Sequence, residues 1–243
     1  MVTKPKSSKI HPGPGFRIRR NIQRPAPEII DEFRNFETPD ISDMLNRLYT
    51  MCPEIHNLVN DKTIVGPACT VKVFPGDNLM VHKSLDIAKP GDIVVVDAGG
   101  SRMNGLIGDL ISTKARHRGI AGFVIDGLIR DIDGIREVGM PVFARGITPV
   151  GPLHRGPGEI NFPVSCGGIV VNPGDIIVGD VNGVVVVRQE FAQDLILRLY
   201  KQRESLHDYI ANVRKGIFSN DWVDAVLEAN QCMIIDDEVD VTS

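Results

Sequence analysis

No two cysteines in the chain stand in a C-x-x-C arrangement. Cys52, Cys69, Cys166 and Cys232 are scattered, which speaks against a zinc ribbon and a dithiol redox site and leaves buried or free thiols in a reducing compartment as the simpler expectation. Long apolar runs are lacking as well, none approaching the roughly 18 residues of a membrane helix. The N-terminal stretch with Lys4, Lys6, Lys9, Arg17, Arg19 and Arg20 has charge but no apolar core for a signal peptide. The expected location is the cytoplasm, with no membrane partner. A basic excess is also missing. The formal charge is -4 and the isoelectric point near 5.9, so no electrostatic footprint calls for direct nucleic-acid binding.

Three familiar motifs are absent. Val96-Asp97-Ala98-Gly99-Gly100 begins like a nucleotide loop, but the next glycine is Gly105, so no G-x-G-x-x-G follows. The histidines form no H-E-x-x-H pair, and His82 and His117 read as surface or packing residues rather than metal ligands. No serine sits in a G-x-S-x-G elbow.

What is present is the composition of an ordinary globular protein: 243 residues, 42% hydrophobic and 24% charged. That predicts one domain with terminal extensions. Residues 1–26, punctuated by Pro12, Pro14 and Pro25, read as an extended arm that could wrap a neighbouring subunit. Residues 27–190 read as the domain proper, and 191–243 as a C-terminal helical extension at a subunit interface. Within the domain, Pro27 opens two packing helices that run to Tyr49. Strand Ile64–Phe74 closes on the turn Pro75-Gly76-Asp77-Asn78, and a helix over about Leu79–Ala88 follows.

Asp92–Asp97 then forms an apolar run typical of a strand buried on both faces. Helix Leu106–Arg118, strand Ile120–Ile125, helix Ile132–Val138 and strand Pro141–Ala144 continue the alternation. Such βαβ units predict right-handed crossovers and a parallel sheet. Further on, Ile169–Val171, Ile176–Val178 and Val184–Val187 are separated by turn residues and predict an antiparallel meander packed on that sheet. A long helix over Glu190–Val213 and a short one over Trp222–Ala229 end the chain. The expected fold is α/β: a layered α/β/β/α sandwich, or a barrel-like variant of it.

Two places put chemically useful residues where strands end and helices begin, which is where ligands gather on parallel sheets. Gly108-Asp109-Leu110-Ile111 opens one helix, and Arg130-Asp131 follows the next strand. Free amides at a helix start bind carboxylates. Asp131 offers a hard oxygen ligand for Mg²⁺ or Mn²⁺, Arg130 can donate two hydrogen bonds to an oxyanion, and Asp109 can hold a metal-bound water. By local pattern alone, an aspartate in a first helical turn is more often a cap and an Arg-Asp pair more often a surface ion pair. Both readings stay open at this point.

The stretch from Gly108-Asp109-Leu110 through Gly119-Ile120-Ala121-Gly122, Val124-Ile125-Asp126-Gly127, Arg130-Asp131 and Pro141–Gly146 resembles the 4-hydroxy-4-methyl-2-oxoglutarate aldolase family, which also contains the regulators of ribonuclease activity A. The resemblance runs from about Asp40 to Arg188 and includes Pro173-Gly174-Asp175 and Gly179-Asp180. It implies a trimer or paired trimers with a divalent metal, cleaving a 4-hydroxy-2-oxo acid to pyruvate and decarboxylating oxaloacetate. By position, Asp131 matches the metal-anchoring aspartate, Arg130 the arginine at the substrate oxygen, Asp109 the acid that reaches the metal through water, and Gly108 to Ile111 the substrate-binding turn. Glu204 is the residue in place for an acid supplied by a neighbouring subunit. The alternative implied by the same resemblance is a non-catalytic trimer that binds a ribonuclease or another enzyme. Some relatives carry a menaquinone methyltransferase label, against which the missing glycine-rich nucleotide loop argues.

One position departs from the pattern. Many aldolase members have an acid three residues after the aspartate of the Arg-Asp pair, where this chain has Gly134, with Asp133 one position earlier. The departure bears on the aldolase substrate and leaves the metal site intact.

Overall fold

Strand β3 (Ile64–Val73) belongs to two sheets at once. Its first half pairs antiparallel with β10 (Ile176–Asp180), with Ile176 opposite Pro67, and its second half runs parallel to β4 (Ile93–Asp97), with Ala68 opposite Ile93. In this computed structural model residues 9–235 are described, so Lys4 and Lys6 of the basic stretch lie outside the described residues. The chain divides into two compact units, one ending at Leu199 and the other starting at Tyr200.

From β3 the first sheet continues parallel through β4, β5 (Gly122–Ile129) and β6 (Val142–Ile147), and helices α3 (Leu79–Ser84), α4 (Asp109–His117) and α5 (Ile132–Val138) make the crossovers. Every residue of β4 is buried, as a parallel strand covered on both faces must be. Alternate residues serve different layers. Val94, Val96 and Ile125 pack with Val81, Ile111, Ala115 and Ile135 on the helical side. Val95, Val124 and Phe143 face Ile177, Val184 and Val186 of the second sheet, which pairs β10 with β11 (Gly183–Val187). The remaining face of that sheet, Ile176, Val178, Val185 and Val187, packs on Phe33, Ile41, Leu195 and Leu199. Those residues come from α1 (Pro27–Glu32) and the short turn after it, α2 (Thr38–Met44), and the start of α6 (Ala192–Arg214). The order of layers is therefore α/β/β/α, as expected. Each fully buried Val, Ile or Phe side chain contributes about 1.5–3 kcal/mol.

The expected meander is not a single sheet. β8 (Val164–Cys166) and β9 (Ile169–Val171) form their own two-stranded sheet, and β10 pairs with β3 and β11 instead of β9. The turn Asn172–Asp175 explains the switch. Gly174 N donates to Ala68 O at 2.9 Å, and Ala68 N donates to Asp175 O at 2.8 Å, so the chain is delivered onto β3 before β10 begins. Asp175 also receives the Asn172 amide at 2.7 Å and pairs with Arg188.

The N-terminal segment is tied to its own chain. β1 (Phe16–Ile18) pairs in parallel with β7 (Gly158–Ile160) of the same chain. Arg24 grips the buried carboxylate of Asp92 through Nε at 2.8 Å and Nη2 at 2.6 Å. The arm is extended as read, but its described part from Phe16 onward is held by its own chain. β2 (His56–Asn57), β7 and β8 are too short for hydrophobic alternation to reveal.

One boundary matters for function. Residues 106–108 do not start α4 but run extended beside the end of β5, with Leu106 N bonded to Leu128 O at 2.8 Å and Arg130 N to Ile107 O at 3.0 Å. β5 accordingly continues to Ile129, past the Ile125 expected, and α4 starts at Asp109. Among the described residues, no helix is long and apolar enough to cross a membrane. The four cysteines are free, and burial pushes the Cys69 thiol up to about 12 and the Cys166 thiol well above its ordinary value.

Candidate active site

The loops that follow β3, β4, β5 and β6 leave the same end of the sheet and enclose a pocket of about 300 Å³. After β4 come Leu106 to Gly108 and the first turn of α4, Asp109 to Ile111; after β5, Arg130 and Asp131; after β3, Asn78 and, on α3, His82; and after β6, Gly151, Pro152 and His154. All the pocket residues expected from the sequence within the domain are thus brought together: Gly108, Asp109, Leu110, Ile111, Arg130 and Asp131. Glu204 lies on the exposed part of α6 in the C-terminal unit and is not among the pocket residues.

Gly108 is the N-cap of α4, and the first helical hydrogen bond runs from Ser112 N to Gly108 O at 3.1 Å. The amides of Asp109, Leu110 and Ile111 precede that bond. Leu110 N is taken by Oδ1 of Asp109 at 2.7 Å, which leaves Asp109 and Ile111 to offer N–H groups to an anion. Asp109 thus satisfies the Leu110 amide itself. Ser112 Oγ and Thr113 Oγ1 bond back to Gly108 O and Asp109 O at 3.0 and 2.8 Å and hold the first turn closed.

Arg130 and Asp131 sit opposite. Asp131 takes a left-handed conformation, φ 52° and ψ 43°, as N-cap of α5. Such a backbone costs an L-residue about 1–2 kcal/mol and is tolerated best by Asn and Asp. Arg130 Nε lies 3.1 Å from Asp131 Oδ2, both side chains being about two-fifths exposed (41% and 42%). The guanidinium rests against Gly151, where a Cβ would come within 2.7 Å of Nη1. Two glycines shape the acids: a Cβ on Gly108 would meet Asp131 Oδ2 at 2.2 Å, and one on Gly134 would meet the Asp109 Cβ at 2.7 Å. Asp133 does not substitute for an acid at 134, since its side chain is 91% exposed and pairs with Arg136.

Sequence reasoning missed Asn78 and His154, which line the pocket together with His82. The signal was available for Asn78, whose turn ends a buried strand parallel to β4. His154 lies seven residues beyond the end of β6 and carried no such signal. Burial, then Lys114 and His154, lowers the His82 pKa. The strand-end acids Asp97 and Asp126 serve the other face of the sheet, where Asp126 pairs with Arg145 and accepts from Gly167 N at 2.8 Å, and Asp97 meets Lys72 Nζ at 3.2 Å.

This donor set decides what cation could be held. Among the described residues, no three His, Cys, Asp or Glu side chains converge, so a cage of zinc type does not fit. A hard cation that uses one or two carboxylates and keeps its waters does fit. Asp131 would be the direct ligand, in a cradle that any Cβ at Gly108 would fill. A carboxylate-bearing cradle thus faces an arginine and two helix-start amides at the strand ends of an α/β/β/α sandwich, a set of groups with the chemistry to hold a small anion.

Residues 38–186 match the RraA-like family, described as Aldolase/RraA, and the chain belongs to it. A relative from Halalkalibacterium halodurans, named "Putative 4-hydroxy-4-methyl-2-oxoglutarate aldolase", is 41% identical over 176 residues, 72% of this chain and 84% of that protein. Among solved structures, Streptomyces coelicolor RraAS2, described as an unusual member of the RNase ES inhibitor RraA protein family, superposes with a TM-score of 0.71 at 28% identity, covering 78% of this chain and 98% of that one. A Geobacillus kaustophilus structure titled S-adenosylmethionine: 2-dimethylmenaquinone methyltransferase matches with a TM-score of 0.58 at 34% identity, over 63% of this chain and 95% of that one.

Proposed function

We propose that the chain is a divalent-metal-dependent aldolase that cleaves a 4-hydroxy-2-oxo acid to pyruvate and also decarboxylates oxaloacetate. The substrate is of the 4-hydroxy-4-methyl-2-oxoglutarate or 4-carboxy-4-hydroxy-2-oxoadipate type. The observation that carries this reading is the placement of Arg130 and Asp131 opposite the α4 amides in one pocket of about 300 Å³. Both reactions pass through the same species, the enolate of pyruvate. A site that stabilises its negative oxygen serves both.

The amides of Asp109 and Ile111 hold the substrate carboxylate at the positive end of α4. Arg130 donates to the 2-oxo oxygen as charge builds there, and losing such a donor costs about 3–4 kcal/mol, a hundredfold or more in rate. Mg²⁺ or Mn²⁺ at Asp131, with Asp109 behind it through water, would supply Lewis-acid polarisation of the 2-oxo acid worth several kcal/mol. Purified protein assayed with oxaloacetate and a panel of 4-hydroxy-2-oxo acids, with and without chelator, tests the reading. Pyruvate should form from both substrate types and cease with chelator. No pyruvate from any of them in the presence of Mg²⁺ and Mn²⁺ sinks it.

A second reading, a non-catalytic regulator that binds a ribonuclease or another enzyme, is favoured by the likeness to the Streptomyces coelicolor RNase ES inhibitor family member. It differs in one cheap respect. A binding module exchanges no C3 proton of pyruvate with solvent, metal or no metal.

The assembly belongs to the same proposal: a homotrimer or a hexamer, with the C-terminal unit at a subunit interface and Glu204 reaching a neighbour's pocket. In that unit Tyr209, Val213, Phe218, Trp222 and Val226 are exposed on α6 and around α7 (Asp221–Ala229). A run of apolar side chains of this size in water is the mark of a contact surface.

A further inference from the structure

Asn78 is almost wholly buried, at 1% exposure, and its side chain joins two walls of the pocket. On one side Nδ2 donates to Leu106 O at 2.7 Å; on the other, Oδ1 lies 2.6 Å from His154 Nδ1. The identities of these atoms follow from chemistry. A main-chain carbonyl only accepts, so the amide atom beside Leu106 O must be the nitrogen. The atom facing His154 is then the oxygen, which also only accepts. Nδ1 of His154 therefore carries the hydrogen, and in the neutral ring Nε2 is left with its lone pair.

The segment that carries this imidazole is tied at several points. Leu153 N donates to Gly76 O at 2.8 Å, Asn78 N to Leu153 O at 2.9 Å, and Asn104 Nδ2 to Gly151 O at 2.6 Å. Gly151 touches the Arg130 guanidinium. Arg130 and His154 line the same pocket of about 300 Å³, so an acid bound in it meets both side chains. The His82 ring meets His154 edge-on with centroids 5.6 Å apart. Of the other ionisable groups at the pocket, Arg130 is a permanent cation and Asp109 and Asp131 serve the cation and the α4 turn; of the two imidazoles, His154 is the one whose tautomer the buried Asn78 amide fixes.

We propose that His154 is the general base of aldol cleavage, taking the proton of the substrate's C4 hydroxyl on Nε2. The inference rests on the aldolase reading above. In the step, the hydroxyl proton passes to Nε2 and the O–H electron pair becomes the second bond of the C4 carbonyl. The C3–C4 bond breaks, and its pair enters the C2–C3 enolate whose oxygen faces Arg130. The imidazolium then returns its proton to C3, directly or through a water, and pyruvate leaves. Atoms and charge balance with no further reactant. Asn78 is the positioning residue, because its oxygen fixes which ring nitrogen is free.

Oxaloacetate has no C4 hydroxyl, so its decarboxylation needs no such base, and the two activities separate the roles. In His154→Gln, cleavage of a 4-hydroxy-2-oxo acid should fall by about 10²–10⁴, the usual range for loss of a general base, and oxaloacetate decarboxylation by about tenfold at most. Equal losses in both would make His154 a structural tie and overturn the proposal, as would undiminished cleavage. The tautomer is read independently by ¹⁵N chemical shifts of histidine-labelled protein compared with His154→Gln. A protonated Nδ1 and a bare Nε2 are expected at neutral pH, and a protonated Nε2 with a bare Nδ1 overturns the assignment whatever the activities. If wild-type protein decarboxylates oxaloacetate but cleaves no 4-hydroxy-2-oxo acid, both the aldolase reading and the base role fall. If it does neither, the enolate site itself is wrong.

Discussion

A Cβ placed on Gly108 would stand 2.2 Å from Oδ2 of Asp131. Gly108 has φ -137° and ψ -162°, an extended conformation open to any residue, so the glycine is required by the carboxylate beside it and not by its own backbone. In Gly108→Ala the Asp131 carboxylate must move, and a shift of about 1 Å in a reacting constellation costs on the order of a hundredfold in rate. The variant should therefore lose about two decades in kcat/KM for oxaloacetate while its far-UV circular dichroism stays that of the parent. Parent-like activity would show that Asp131 is free to move and is not the anchor.

The Arg130 and Asp131 side chains call for different replacements. Arg130→Ala removes a half-exposed side chain and should lower kcat by about 10²–10³ with little change in melting temperature. Asp131→Ala mixes two effects, since alanine at φ 52° is strained. Asn tolerates that backbone, so Asp131→Asn removes only the charge. It should fold like the parent and lose both decarboxylation and its stimulation by Mg²⁺. Isothermal titration with Mn²⁺ gives a second reading, in which heat of binding present in the parent is absent from Asp131→Asn.

Much of this was legible in the sequence. The buried run Ile93–Asp97 announced a parallel strand, and Gly108 and Arg130-Asp131 stood where such strands release their chain. The ladder from Leu106 to Leu128 was hidden, because a short extended stretch before a helix has the same apolar composition as the helix itself. The β3–β10 pairing was hidden for a different reason. It depends on Gly174 and Asp175 reaching Ala68, more than a hundred residues away, and local periodicity carries no information on such a partner. His154 is likewise visible only through Asn78, which no spacing connects to it.

The acid limb of stability should report on His82. Its pKa lies below the ordinary value because of burial first and then Lys114 and His154. The unfolded chain takes up this proton before the folded one, so stability present above about pH 6.5, the usual histidine value, is lost as pH falls through the lowered pKa. His82→Asn should reduce the drop in urea midpoint between neutral and mildly acidic pH. An unchanged drop would mean that His82 titrates alike in both states.

Removal of residues 215–243 tests the assembly. The deleted part carries Phe218, Trp222 and Val226, all exposed at 52–66%. Sedimentation velocity should give a trimer or hexamer for the full chain and a smaller species for the shortened one. An equal subunit number in both would place the interface elsewhere.

Gly134 sets two effects of known size against each other. An alanine inside a helix is favoured over glycine by about 0.5–1 kcal/mol, and residue 134 lies in the first turn of α5. The added Cβ would meet the Asp109 Cβ at 2.7 Å, and overpacking of this kind costs about 1–3 kcal/mol. The contact outweighs the propensity, so Gly134→Ala should melt lower than the parent and shift Asp109 away from its pocket position. Gly134→Asp, which installs the acid implied by the aldolase resemblance, adds a second negative group beside Asp109 and should lose more activity than Gly134→Ala does. A stabilised and fully active Gly134→Ala would show that α4 and α5 can part at no cost, and that the place of Asp109 in the pocket is not set by this glycine.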